Sequence, residues 1–103
     1  GAFLHGNILE KGGMTVMENR IGVVGIVLEQ PTQAAEQVNA VLSAFSRIII
    51  GRMGVPRHET GAEVIALIVQ GDTDTIGALT GKLGAIKNVS VKSALTNKKL
   101  AME

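Results

Sequence analysis

Three places in this chain carry residue types able to do chemistry. His58 beside Glu59 offers an imidazole nitrogen and a carboxylate oxygen, the donor types of a metal site. Zinc-type sites take three or four protein ligands, and no second His stands at ligand spacing, so a solvent-facing loop histidine is the plainer reading. No metal is expected, and His58 is the candidate ligand if one binds. Arg52 and Arg57 flank Gly54 and Pro56. A guanidinium there could grip a carboxylate or phosphate bidentately, against the competing reading of an ion pair or a solvated side chain. The third place is Gly77-Ala-Leu-Thr-Gly81-Lys82-Leu83-Gly84. Its first Gly is one position off a phosphate loop, and Leu83 stands where Ser or Thr would bind magnesium, so it is not a Walker motif. Each of Gly77 and Gly81 costs a helix ~1 kcal/mol relative to Ala, which points to another backbone, or a small effector, coming close to that face.

Composition narrows the remaining classes. The 103 residues contain no Cys, which excludes a disulfide framework, a thiol nucleophile and a Cys-ligated zinc or iron–sulfur centre. Ser and Thr lack an evident base, so no catalytic residue, cofactor or enzyme activity is expected. Ten Lys+Arg against nine Asp+Glu leave a net charge of +1, no field for a phosphate backbone. Phe3 and Phe45 are the only aromatics, so base-stacking platforms are missing and direct nucleic-acid binding is not expected. The longest apolar stretches, 23–28 and 64–69, are strand-length rather than the ~20 residues of a membrane span. The start lacks a basic n-region with an apolar h-region, so a cytoplasmic protein without membrane contact is expected.

The elements that must position these residues follow from periodicity. Arg20–Glu29 is β-branched-rich and stops at Gln30-Pro31, a first strand. Between Thr32 and Ser46, Ala34, Ala35, Val38, Val41, Leu42 and Phe45 fall on one helical stripe. A second strand is expected from Ile48 to about Met53, with 54–61 as a loop, and a third over Ala62–Gln70. Asp72-Thr-Asp-Thr caps a second helix, for which Gly84 offers a stop. Val89–Leu95 alternates as a fourth strand. The order β-α-β-β-α-β closes most simply as an α+β, ferredoxin-like sandwich, a four-stranded antiparallel sheet with two helices on one face. Residues 1–19 are set aside as an N-terminal extension, tag or native, residues 20–96 form the domain, and 97–103 a C-terminal tail.

In that arrangement the first and third strands are central, and both are apolar on both faces: Ile21, Val23 and Val27 against Val24, Ile26 and Leu28, and Val64, Ala66 and Ile68 against Ile65, Leu67 and Val69. Two helices cover one face, so the other would expose a large aliphatic patch, and a homo-oligomer, dimer or tetramer, is expected. The alternative is that residues 1–19 fold back over the open face.

Three segments, Gln37-Val-Asn-Ala-Val-Leu, Gly51-Arg-Met-Gly-Val-Pro56 and Asp74-Thr-Ile-Gly-Ala-Leu-Thr-Gly-Lys-Leu-Gly84, resemble the iron-only hydrogenase system regulators over about Arg20 to Ala94, most specifically in the third segment. These are small stand-alone bacterial proteins found with the hydrogenase maturation genes. Their fold is ferredoxin-like and ACT-like, similar to the sensing domain of the nickel-responsive repressor. The resemblance implies a regulatory role in anaerobic metabolism, with an effector bound at a subunit interface and a hydrogenase-system protein as partner. The repressor's metal is held by a His and Cys set that this sequence lacks beyond His58. ACT-type domains hold amino acids near the first strand-to-helix turn, which by fold analogy implicates Glu29, Gln30 and Pro31. The expected effector residues are therefore Gln30, Arg52, Gly54, Pro56, Gly77 and Gly81. The competing expectation is a ligand-free interaction or assembly module for hydrogenase maturation.

Overall fold

The computed structural model describes residues 8–11, 14–17, 19–57 and 59–96; His58 and the tail at 97–103 lie outside the described residues. Strands β1 (Ile8–Lys11) and β2 (Met14–Met17) pair antiparallel as a two-stranded sheet of their own, within the stretch set aside as an extension.

The domain begins at β3 (Arg20–Leu28), whose Val24, Ile26 and Leu28 are buried at alternate positions. Helix α1 (Pro31–Ala44) starts with Pro31 in its first turn, where a missing N–H leaves no intrahelical bond unmade, and buries Ala34, Val38 and Leu42. A 3-10 turn over Ser46–Ile48 leads into β4 (Ile49–Arg57), followed by β5 (Ala62–Gly71), α2 (Thr73–Gly84) and β6 (Val89–Leu95). Helix α2 is capped by Asp72, whose Oδ1 accepts from the Thr75 amide at 2.6 Å and whose Oδ2 accepts from the Thr75 hydroxyl at 2.9 Å.

The sheet order is β4-β5-β3-β6, antiparallel throughout, the ferredoxin-like arrangement in which the first and third strands of the repeat are central. One aliphatic core joins Val24, Ile26, Ile65, Leu67 and Val69 of the sheet to Val38 and Leu42 of α1 and to Ile76, Leu79 and Leu83 of α2.

Two local expectations are corrected. The second strand runs through Gly54, Val55 and Pro56 to Arg57 instead of ending near Met53. Pro56 is tolerated because β4 is an edge strand, whose outer N–H groups have no neighbour to bond. Gly84 is the last residue of α2 rather than a left-handed stop, since Ala85 follows in right-handed helical geometry. The left-handed turn falls later, at Asn88 with φ 67°, and Asn88 returns its carbonyl to the Glu29 amide at 2.9 Å.

The register also defines the side of the sheet away from the helices. Three rows cross it: Gly51, Ile68, Val23 and Ala94; Met53, Ala66, Gly25 and Lys92; Val55, Val64, Val27 and Ser90. Val23 is 50%, Ile68 47% and Met53 65% exposed, so among the described residues nothing covers this face.

Candidate functional site

Four of the six residues singled out from sequence lie along one strip, where β4 runs beside α1. Arg52, Gly54 and Pro56 occupy alternate positions opposite Leu67, Ile65 and Glu63, which puts them on the helix-facing side of the edge strand, and all three are exposed. Gly54 lies between the other two, and a Cβ there would stand 3.3 Å from the Glu63 carboxylate. At one end of the strip, Pro56, Glu63 and Pro31 line a shallow groove of about 240 Å³. Gln30, the residue before Pro31, is exposed at the N-cap of α1, makes no side-chain cap, and uses its carbonyl to accept from the Gln33 and Ala34 amides.

At the other end a groove of about 280 Å³ opens between the last turn of α1 and the start of β4, lined by Leu42, Ser43, Ser46, Ile49, Ile50, Gly51 and Arg52. Its position follows from the chain. Leu42 is drawn into the core as the last member of the α1 stripe, which leaves Ser43 and Ser46 outside. A register shift between Ile49 and Gly51 makes Ile50 the extra residue of a β-bulge and leaves it 56% exposed. Bulges on edge strands re-aim side chains in this way. Sequence reading picked out Arg52 here and missed Ser43, Ser46 and Ile50. The triplet Ile48-Ile49-Ile50 reads as uninterrupted strand and gives no sign of a bulge.

The two arginines differ in what they touch. Arg57 pairs with Glu59 at 3.5 Å, an exposed ion pair of small energetic weight. Arg52 makes no hydrogen bond or ion pair among the described residues, and neither do the Ser43 and Ser46 hydroxyls. The groove thus presents a guanidinium and two hydroxyls beside an aliphatic wall, donors suited to a carboxylate or phosphate carried on a small apolar body.

Gly77 and Gly81 lie elsewhere, exposed on the outer side of α2, and a Cβ built on either meets nothing within 4 Å. The close backbone approach expected from them is not made inside the chain. The glycines under steric pressure are Gly22 and Gly71, which sequence reading passed over. His58 lies outside the described residues, among which no group of three or more His, Cys, Asp or Glu is placed to hold a metal ion. Nor is any helix among them long and apolar enough to cross a membrane.

Residues 20–93, the whole ferredoxin-like unit but its last strand positions, match one family model, TM1266-like, described as "Iron-only hydrogenase system regulator, putative". This chain belongs to the TM1266-like family. A solved structure, that of an uncharacterized protein TM1266 from Thermotoga maritima, is 42% identical, with a TM-score of 0.75 over 78% of this chain and 100% of that one. The TM1266-like domain therefore accounts for the strip, both grooves and the open sheet face, while the β1–β2 hairpin lies outside the matched residues. A formyltetrahydrofolate deformylase from Pseudomonas putida KT2440 shares the fold at 10% identity, with a TM-score of 0.55 over 76% of this chain and 29% of that one. No curated protein matches significantly.

Proposed function

We propose that this TM1266-like protein is a non-enzymatic regulator of the iron-only hydrogenase system, a homo-oligomer that binds a small anionic effector and passes the result to a partner protein. The observation that carries the reading is the groove at the end of α1, where Arg52, Ser43 and Ser46 point unengaged donors past the aliphatic Leu42, Ile49 and Ile50. In this reading Arg52 takes the anionic group, the serine hydroxyls fix its orientation, and Ile50 on the bulge packs on the apolar part. Gln30, Gly54 and Pro56 belong to the same strip and bear on the effector only if it extends along β4.

A ligand that binds only the folded state raises its stability by about 2.7 kcal/mol at a hundredfold excess over Kd. Thermal unfolding against a panel of small carboxylates and phosphates tests this directly. An upward shift with one class, lost in Arg52→Ala while the oligomer mass is unchanged, supports the sensor. If Arg52→Ala dissociates the oligomer instead, Arg52 is an inter-subunit ion-pair residue.

The exposed sheet face favours a second reading, a ligand-free interaction or assembly module for hydrogenase maturation. That reading gains if no member of the panel shifts the transition and the purified protein carries no small molecule.

A further inference from the structure

We infer that the open face of the β4-β5-β3-β6 sheet is the surface on which a second copy of this chain docks, sheet against sheet. This rests on the oligomeric part of the proposed function, and not on the effector. The face is built like half of a core. Val23, Ile68 and Val64 on its two central strands, with Met53 beside them on the edge strand, are aliphatic and 38–65% exposed. Its cations, Lys92 and Arg57, sit on the two edge strands, and its three central rows contain no acid.

Size and chemistry together select the occupant. Four strands ~4.8 Å apart, each contributing about seven residues at ~3.3 Å, make a face of roughly 19 by 23 Å. With the relief of the side chains, two such faces approach the lower end of the ~1,200–2,000 Å² that specific interfaces bury. An acidic partner would need cations near the centre of the patch, where this face has none. Another such aliphatic face matches it, and two sheets packed at about −30° interdigitate their side chains to make a closed, two-fold interface. The helix side offers no comparable surface, because its aliphatic residues are already spent on the core.

The lack of Cys makes the test clean. Packed sheets stand ~10 Å apart, too far for a disulfide, whose Cα atoms must lie within about 7 Å, but within reach of a short bis-maleimide. Ala66→Cys places one thiol at the middle of the face, and Ala40→Cys places one on the exposed side of α1. Wild type is expected to sediment as an oligomer, Ala66→Cys to cross-link to a dimer in high yield, and Ala40→Cys to remain largely uncross-linked. Met53→Asp, at an exposed edge position that does not threaten folding, should weaken self-association at least tenfold with an unchanged far-UV CD spectrum. An oligomer that cross-links through Ala40→Cys and is indifferent to Met53→Asp would overturn the sheet-face interface while leaving an oligomeric regulator standing. A wild type that is monomeric at tens of micromolar would overturn both.

Discussion

Ile48 lies directly over Gly71: a Cβ on Gly71 would stand 2.8 Å from Ile48 Cγ2 and 3.3 Å from Ile48 Cβ. The last residue of β5 is thus bare so that the 3-10 turn between α1 and β4 can settle onto the sheet. Ile48 so seated immediately precedes β4, two residues before the bulge at Ile50 and the groove beside Arg52.

Gly71→Ala is therefore expected to destabilise the fold by about 1–3 kcal/mol, the range for overpacking a filled site. In an Ile48→Ala background the same substitution should cost less, because the tightest contact, Cγ2 at 2.8 Å, is gone while the Cβ at 3.3 Å remains. Urea unfolding of the four proteins in this double-mutant cycle measures the difference. Equal costs in both backgrounds would mean that Ile48 is not what the glycine accommodates.

Gly22→Ala should be more damaging. A Cβ there would collide with the Ala94 carbonyl oxygen and lie 2.5 Å from Leu95 Cδ2 and 2.9 Å from Leu95 Cα. Backbone cannot swing aside as a side chain can, so strand β6 would have to separate from β3 at that point. A loss of about 3 kcal/mol or more, with hydrogen exchange accelerated in β6 before the rest of the sheet, is the expected result.

Gly81→Ala should act in the opposite direction. The position is exposed, inside α2, and open to a Cβ, so the substitution is expected to stabilise the fold by about 0.5–1 kcal/mol through helix propensity alone. A rise in Tm with unchanged oligomer mass agrees with an interface on the sheet face. If the mass falls, the glycines of α2 face a second copy.

Asp72→Ala removes both oxygens that hold Thr75, and the free N-terminus of α2 should cost about 1 kcal/mol. Asp72→Asn, which keeps an acceptor for the Thr75 amide, should recover most of it in the same thermal melt.

What was legible in the sequence was whatever repeats. Val24, Ile26 and Leu28 alternate, Ala34, Val38 and Leu42 recur on one helical face, and both patterns are decided by burial, so order, topology and the open face followed from them. Single positions decided by a distant neighbour were not legible. Gly54 and Pro56 have the composition of a loop, and only the neighbouring β5 makes them strand. Nothing near Gly22 or Gly71 in the chain announces Leu95 or Ile48. Conversely Gly77 and Gly81 drew notice by their spacing, and the fold places them in open space. The candidate site divides in the same way: Arg52 was visible as one of two arginines flanking Gly54 and Pro56, whereas Ser43, Ser46 and Ile50 join it only because a bulge and a helix end meet there.

Native mass spectrometry of the freshly purified protein, wild type beside Arg52→Ala, reports at once whether the chain forms a homo-oligomer and whether it holds a small anion at Arg52. The expected spectrum is an even-numbered assembly of 10.7 kDa chains carrying a reproducible small adduct, and the same assembly without the adduct in Arg52→Ala. A bare monomer, or an adduct retained in full by Arg52→Ala, would contradict it.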